Sequence, residues 1–292
     1  MSQADVTAVP APRVRRRALW TLGILRSELT TTLRRWRTLA LLGVLAAVPV
    51  LIGIALRIEG GDGSPGGPGG PAFLSQVTDN GLFLVFAALS ATLPVFLPMA
   101  VGVVAGDSVA GEASGGTLRY LLVAPAGRTR LLLAKYASVL VFCLVATVVV
   151  AASALAAGLL LFPVGEVTTI SGTRIGFGEG LLRAGAIAVA VAASLIGFAA
   201  LGLFVSTLTN SGIAAMAATV GVLITAQILD TMPQLDGIRP YLFPHYWMSF
   251  TDLLRAPVYW DETVRNLELQ ALYAAMFGSA AWARFTTKDI SV

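Results

Sequence analysis

Two carboxylates, Asp107 and Glu112, stand five residues apart at the end of a long apolar run. Paired carboxylates at such a spacing are candidates for general acid–base chemistry. The chain's single histidine, His245, is far away in the sequence, so the pair has no neighbouring imidazole that would help to hold a metal ion. Arg119 and Arg128, in contrast, lie close by. We therefore interpret the pair as part of a polar contact surface rather than as an active site.

Other catalytic patterns are missing from the sequence. One cysteine, Cys143, and one histidine exclude most metal hydrolases and Cys–His nucleophile systems. The only lysines, Lys135 and Lys288, do not follow a glycine, so there is no GxxxxGK[ST] phosphate-binding loop. The HExxH and GxSxG motifs are absent as well. The chain is therefore predicted not to be an enzyme and to bind no nucleotide itself.

The composition is that of an integral membrane protein. Of the 292 residues, 56% are hydrophobic and 12% are charged, and the mean hydropathy is +0.80. This charged share is about half that of a soluble domain and cannot cover a surface in water. The apolar runs are long and continuous, without the alternation typical of barrel strands. The predicted fold class is an all-α membrane domain.

Three parts are predicted along the chain. A polar tail at 1–13 is expected to be disordered, and an arginine-rich amphipathic helix at 14–37 is expected to lie in the headgroup plane. A single six-helix transmembrane domain is expected over 38–292. Its spans are predicted at 38–56, 81–106, 135–162, 181–206, 212–229 and 267–285. Pro94 and Pro98 are expected to bend the second span.

The charged residues are distributed unevenly between the two sides of this arrangement. With both termini on the inner side, fourteen of the twenty Lys and Arg residues lie inside, and eleven of the sixteen Asp and Glu residues lie outside. By the positive-inside rule, both termini are predicted to be cytoplasmic, in a multi-pass protein of the cell membrane. Topology then accounts for the net charge of +4, with some attraction to anionic lipid, and no nucleic-acid partner is expected.

The predicted spans carry few polar groups, and Gln227 lies in the middle of the fifth. Its amide is suited to an interhelical hydrogen bond or, alternatively, to contact with a substrate. The spans are nearly free of charged side chains, which argues against an ion-coupled transporter, since such proteins usually keep one at membrane depth. The same lack of charge favours an apolar or amphipathic cargo.

The segment from Asp107 to Lys135 concentrates polar and basic residues between two apolar runs. A Gly-Gly pair ending at Gly116 interrupts the helical pattern, and Thr117 is suited to cap a new short helix that Pro125 ends. A short helix fixed between two spans can transmit a rigid-body push. Composition alone fits an ordinary loop with positive-inside anchors equally well.

This segment resembles the E-x-x-x-G-T-L-x-x-L-L-x-x-P-x-x-R-x-x-x-x-x-x-K signature of ABC-2 type transporter permeases. The matching residues are Glu112, Gly116, Thr117, Leu118, Leu121, Leu122, Pro125, Arg128 and Lys135. The basic helix at 14–37 resembles that family's elbow helix, and the aromatic-rich segment at 230–266 resembles its extracellular re-entrant region. The ending from Arg284 to Ile290 is similar to the family's F-x-x-[RK]-D-[IL] tail. The Gly/Pro-rich stretch at 60–71 matches no family feature.

The resemblance implies the permease subunit of an ATP-binding cassette exporter. Its partners would be a cytoplasmic ATPase, which carries the ATP and Mg²⁺, and a second permease copy or paralogue. Contact with the ATPase is expected from Asp107, Glu112, Gly116, Thr117, Leu118, Leu121, Pro125, Arg128 and Lys135, and also from Asn210 in the short turn before the fifth span. Glu112 and Arg128 are expected to hold a coupling helix against the ATPase or against the elbow helix. Substrate would pass between two permeases, along their first, second and fifth spans.

Two other classes stay open at this point. A stand-alone secondary transporter or channel would work on an ion gradient without an ATPase. An intramembrane enzyme would need catalytic residues that the sequence does not offer. A neighbouring reading frame with a phosphate-binding loop would favour the exporter over both.

Overall fold

The structure is a computed structural model that describes residues 15–61, 80–116, 127–163, 165, 167–168, 173–255 and 257–287. This part of the chain is built almost entirely from helices. The α-helices are α1 (Arg15–Arg34), α2 (Trp36–Gly61), α3 (Phe83–Thr92), α4 (Phe96–Ser114), α5 (Arg128–Leu161), α6 (Phe177–Ser194), α7 (Ile196–Leu208), α8 (Gly212–Thr231) and α9 (Asp261–Thr287). Two short antiparallel strands, β1 (Val167–Thr168) and β2 (Arg174–Ile175), lie between α5 and α6. Three 3-10 helices separate α8 from α9, at Pro233–Leu235, Arg239–Tyr241 and Trp247–Leu254.

Five helical segments are long and apolar enough to cross a membrane. They are 36–58 in α2, 96–114 in α4, 128–161 in α5, 177–208 in α6 and α7 together, and 212–231 in α8. An α-helix rises ~1.5 Å per residue, so about 20 residues cross the hydrocarbon of a bilayer. The prediction of a helical fold is confirmed, and five segments are long and apolar enough for a multi-pass membrane protein.

The predicted second span, 81–106, is two helices in the structure rather than one bent helix. The break between α3 and α4 falls at Pro94. Because Pro98 has no N–H, the carbonyl of Pro94 lacks the donor that a helix would supply four residues later. Nε2 of Gln227, on α8, donates a hydrogen bond of 2.9 Å to that carbonyl. A side chain of α8 thus supplies the hydrogen bond that the carbonyl at the break would otherwise lack.

Helix α3 lies at the centre of the core. Its side chains from Phe83 to Leu89 are all 3% exposed or less, because α2, α5 and α6 pack around it. At its start, the backbone of Gly81 touches the backbone of Gly158 on α5. A Cβ on either glycine would overlap the carbonyl of the other. Helix α3 can therefore approach α5 this closely only because neither residue has a side chain.

The helical segment 177–208 is interrupted at Leu195, between α6 and α7. The backbone N–H of Gly197, in the first turn of α7, donates to Oε1 of Gln270 at 3.2 Å. Gln270 is 1% exposed and also donates to the carbonyl of Phe243 at 2.9 Å. One buried amide of α9 therefore joins the break in this segment to the aromatic-rich stretch between α8 and α9.

A helix is present where the sixth span was predicted, at 267–285. It is the central and C-terminal part of α9, which packs along α7. The rings of Phe277 and Phe204 lie 5.7 Å apart at this contact. Helix α9 is not among the five segments that are long and apolar enough to cross a membrane. Its first turn carries two acidic residues, Asp261 and Glu262.

The predicted amphipathic helix at 14–37 corresponds to α1, which ends at Arg34 and packs on α5. Arg35 interrupts the helix, and α2 begins at Trp36. The boundary between the two elements therefore falls two to three residues earlier than predicted, and Trp36 belongs to the first apolar segment.

Candidate functional site

Lys135 is the most deeply buried charged residue of the described chain, at 1% exposure. Its Nζ donates to Oε1 of Glu112 at 2.5 Å and to the two carboxylate oxygens of Glu28 at 3.1 and 3.2 Å. The three residues come from three helices, with Glu28 on α1, Glu112 on α4 and Lys135 on α5. We call this group the buried ion-pair cluster.

The position of Lys135 follows from the periodicity of α5. Leu131, Lys135, Ser138, Val139 and Phe142 are all buried and recur at helical spacing on one face of α5. This face packs against α1 and α4. Placing an ammonium group there costs several kcal/mol in lost hydration. Two carboxylates, with side chains only 11% and 13% exposed, offset that cost by direct contact.

A second ion pair lies beside the cluster. Arg35, between α1 and α2, donates through Nη1 to Oδ2 of Asp107 at 2.8 Å. The side chain of Asp107 is 18% exposed and that of Arg35 is 40% exposed, so this pair lies nearer the surface. Asp107 thus links α4 directly to the junction of α1 and α2, and Glu112 links it through Lys135 to α1.

Asp107 also contacts the start of α8. A Cβ built on Gly212 would lie 2.6 Å from Oδ1 of Asp107 and 3.2 Å from Cα of Gly111. Gly212 is the first residue of α8, and Ser211 caps that helix by accepting from the N–H of Ala214. A carboxylate is favoured there because the backbone N–H groups of a helix N-terminus carry partial positive charge. The Asp107 carboxylate thus occupies the space that a side chain at 212 would need.

Ser206 of α7 is inserted into the backbone hydrogen bonds of α4. Its Oγ accepts from the N–H of Val109 at 3.0 Å and from the N–H of Ala110 at 2.9 Å, and it donates to the carbonyl of Gly106 at 2.5 Å. The turn of α4 between Asp107 and Glu112 is therefore held by a hydroxyl group of another helix. Such insertions are a known cause of local bending in helices.

A cavity of about 40 Å³ connects the two ion pairs. Its wall combines apolar side chains with charged ones, which include Glu28, Arg35, Asp107, Glu112 and Lys135. A space of this size can hold a water molecule or two beside the charged side chains, since one water needs about 10–15 Å³ of such volume. The arrangement provides fixed charges and hydration between helices. Among the described residues, no group of three or more His, Cys, Asp or Glu side chains forms a metal site.

The structure brings three of the predicted coupling residues, Asp107, Glu112 and Lys135, into one region. Arg128 lies elsewhere, where its Nη1 donates to the carbonyl of Thr286 at 2.8 Å in the last turn of α9. A cation is favoured at this end of a helix. Among the described residues, Glu112 bonds to a side chain of α5 and Arg128 to the backbone of α9, and their joint role in holding a coupling helix stays a prediction.

The remaining predicted residues are placed as follows. Gly116 has a φ of +69°, a backbone conformation that favours glycine. Asn210 is exposed in the turn before α8, and Gln227 bonds to Pro94 as described above. The predicted positions at Thr117, Leu118, Leu121 and Pro125, together with the tail from 288 to 290, lie outside the described residues.

Glu28, Arg35 and Ser206 were missed by the sequence reasoning. One signal pointed to Glu28, because it is the only acidic residue in the basic stretch from 14 to 37. A single acidic residue among the arginines of one helix suggests a specific cationic partner. No comparable signal marks Ser206, since serine is common in apolar helices.

A family model described as "Protein of unknown function (DUF2705)" matches residues 70–291. The chain belongs to this family. The matched region covers α3 to α9 and therefore includes Asp107, Glu112, Lys135 and Ser206. Glu28 and Arg35, which contribute to the cluster and to the second ion pair, precede the matched region. The comparison with curated proteins gives no match.

Proposed function

We propose that this chain is the permease subunit of an ATP-binding cassette exporter, with 107–135 as its contact to the ATPase. The observation that carries the proposal is the contact between Glu112 and Lys135. These are the first and last residues of the signature that resembles ABC-2 permeases, 23 positions apart in sequence and 2.5 Å apart in space. The chain between them therefore starts and ends at one point of the helical body, which is what a coupling segment requires.

In the proposed arrangement, six helical segments cross the cell membrane, with α3 and α4 as the second and α9 as the sixth. The contacts of α9 support its role, because they extend from Gln270, against Gly197, to Thr286, against Arg128. Sixteen residues of helix span ~24 Å, which is most of the hydrocarbon thickness. Helix α1 would lie in the headgroup plane as the elbow helix, and the charge bias favours cytoplasmic termini.

The proposed mechanism is mechanical. A partner ATPase would bind ATP and Mg²⁺, and closure of the ATPase pair would push on the segment between Glu112 and Lys135. The buried ion-pair cluster links α1, α4 and α5, so these helices would move together. The contact of Asp107 with Gly212 would extend the movement to α8. Two permease copies would enclose the substrate path, with Gln227 as a candidate contact on α8.

Co-expression with an ATPase from a neighbouring reading frame tests the proposal. We expect the ATPase to copurify with the full chain and its hydrolysis rate in nanodiscs to depend on the chain. The triple variant Lys135→Met, Glu28→Gln and Glu112→Gln removes the cluster without leaving an unpaired charge, and it should retain expression but lose this stimulation. Arg265→Gln, an exposed change outside 107–135, should not lose it. Normal stimulation by the triple variant, or failure of any such ATPase to copurify, would contradict the proposal.

One observation favours a second candidate, an ion-coupled secondary transporter. Lys135, paired with two partly buried carboxylates, is the type of ionisable group that such transporters keep inside the helical bundle. This candidate predicts transport by the chain alone in proteoliposomes under a proton or sodium gradient. Transport that requires both ATP and a copurified ATPase would support the exporter and exclude the ion-coupled transporter.

A further inference from the structure

An open groove lies between the α1–α2 junction and the end of α4. Its volume is about 540 Å³. One wall consists of Arg35, Trp36 and Arg37, and the other includes Asp107 and Ser114. Trp36 is 81% exposed, although it begins an apolar helix. The groove thus combines basic side chains with a large aromatic ring that nothing in the described structure covers.

The groove has a surplus of positive charge. Asp107, the acidic residue in its wall, already forms an ion pair with Arg35. Arg34 and Arg37 are exposed on either side of that pair, and neither forms an ion pair with another residue of the described ranges. Guanidinium groups bind phosphate through paired N–H donors. The unmatched charge therefore favours an anion that carries phosphate oxygens.

The groove lies at the N-terminal end of α2, which is the most exposed of the five apolar segments. Only 17% of the α2 window is buried, the smallest share among the five apolar segments. Leu39, Val44 and Leu51 continue the exposed apolar surface upward from Trp36. Trp and Arg at the end of an apolar helix mark the boundary between headgroups and hydrocarbon. A ligand in this groove would have its polar part at the arginines and its apolar part along α2.

We infer that this groove binds an anionic phospholipid, with the phosphate at Arg35 and Arg37, the glycerol region against Trp36 and an acyl chain along Leu39 and Val50, which are exposed on the same face of α2. The inference goes beyond the proposed function and does not depend on an ATPase. A lipid fits better than a soluble phosphate compound, because the arginines adjoin an apolar surface that water would leave uncovered. It fits better than a protein segment, because one lipid supplies both an anion for the arginines and an apolar chain for the exposed surface of α2.

Quenching of tryptophan fluorescence by brominated lipids tests this inference. The full chain would be placed in phosphatidylcholine nanodiscs that contain increasing fractions of phosphatidylglycerol brominated near the headgroup. The Trp36→Phe variant isolates the signal of Trp36 from that of the other tryptophans. We expect quenching of Trp36 to saturate at a low fraction of brominated phosphatidylglycerol, and brominated phosphatidylcholine to quench only in proportion to its amount.

Arg37→Gln should raise the half-saturating fraction about fivefold, as expected for one arginine near an anionic membrane surface. Arg26→Gln is the matched control, because Arg26 is an exposed arginine of α1 that does not line the groove. Four outcomes would overturn the inference. They are equal quenching by both lipids, equal effects of the two variants, release of the lipid by millimolar inorganic phosphate, and protection of Trp36 from both lipids, which would indicate a second protein chain.

Discussion

Lys135 and Glu28 are 107 residues apart in sequence and in direct contact in the fold, with Nζ 3.1 Å from Oε2. Together with the bond from Lys135 to Glu112, this contact fixes α1 to the ends of α4 and α5. The arginine-rich helix α1 is thus attached to the other helices through charged side chains. Several consequences of this and related contacts are open to measurement.

The first prediction concerns Lys135. Replacing it with methionine leaves Glu28 and Glu112 buried without their cation, and we expect a loss of about 3–5 kcal/mol in the free energy of unfolding. The measurement is an SDS titration of the protein in detergent, followed by intrinsic fluorescence. Arg130→Gln should change the stability by less than about 0.5 kcal/mol, since Arg130 is exposed.

A triple variant serves as the internal check on this first prediction. Changing Lys135→Met together with Glu28→Gln and Glu112→Gln removes all three charges, so no unpaired charge stays buried. The triple variant should recover much of the lost stability. A triple variant that is no more stable than Lys135→Met would show that the loss comes from packing rather than from charge.

The second prediction concerns Gly212. An added methyl group would collide with the Asp107 carboxylate, so Gly212→Ala should destabilise the protein by about 1–3 kcal/mol. Gly221→Ala is the matched control on the same helix, because no heavy atom lies within 4 Å of its added Cβ. That control should be neutral or stabilise by up to about 1 kcal/mol, as alanine favours helices. Equal losses for the two variants would exclude a role for Asp107.

The third prediction concerns Ser206. Ser206→Ala removes the acceptor of the Val109 and Ala110 N–H groups, both of which are buried. We expect a loss of about 1–3 kcal/mol and exchange of these two amide hydrogens at least about tenfold faster. Hydrogen–deuterium exchange with mass spectrometry on peptides from α4 measures this effect. Ser153→Ala, whose hydroxyl donates to Val150 within its own helix, should leave α4 unchanged.

The fourth prediction separates the two interpretations of Gln227 by a double-mutant cycle. Gln227→Ala removes the donor to Pro94, whereas Pro98→Ala restores a backbone N–H that can bond to the same carbonyl. The two changes should therefore couple by about 0.6–1.7 kcal/mol, the range for hydrogen bonds between membrane helices. Thr225→Ala, which removes a bond within α8, should show no coupling with Pro98→Ala.

The fifth prediction concerns Gln270. Gln270→Leu leaves the N–H of Gly197 and the carbonyl of Phe243 without their partner. We expect a loss of about 2–4 kcal/mol, since each orphaned buried group costs about 1–3 kcal/mol. Limited proteolysis should also cleave the stretch between α8 and α9 more readily. Glu268→Gln, an exposed change two residues away, should alter neither stability nor cleavage.

Much of the fold was predictable from local properties of the sequence. Long apolar runs predicted the helices of α2, α5, α6 with α7, and α8, because each run must bury its backbone polar groups in its own hydrogen bonds. Proline positions predicted a disturbance near Pro94 and Pro98. The helix of the sixth predicted span was foreseen as well, but the role of Gln270 was not, because its partners lie in α7 and before α9.

The sequence by itself determined that the chain is helical, that it is apolar enough for a membrane, and that its polar groups concentrate between Asp107 and Lys135. Only the tertiary structure decided which charges meet. Lys135 pairs with Glu112 and Glu28, and Arg35 pairs with Asp107. Arg128 instead donates a hydrogen bond to the last turn of α9. The physical reason is that an ion pair depends on the relative position of two helices, which neither helix encodes alone. Burial then raises the cost of leaving such a charge unpaired and makes the pairing specific.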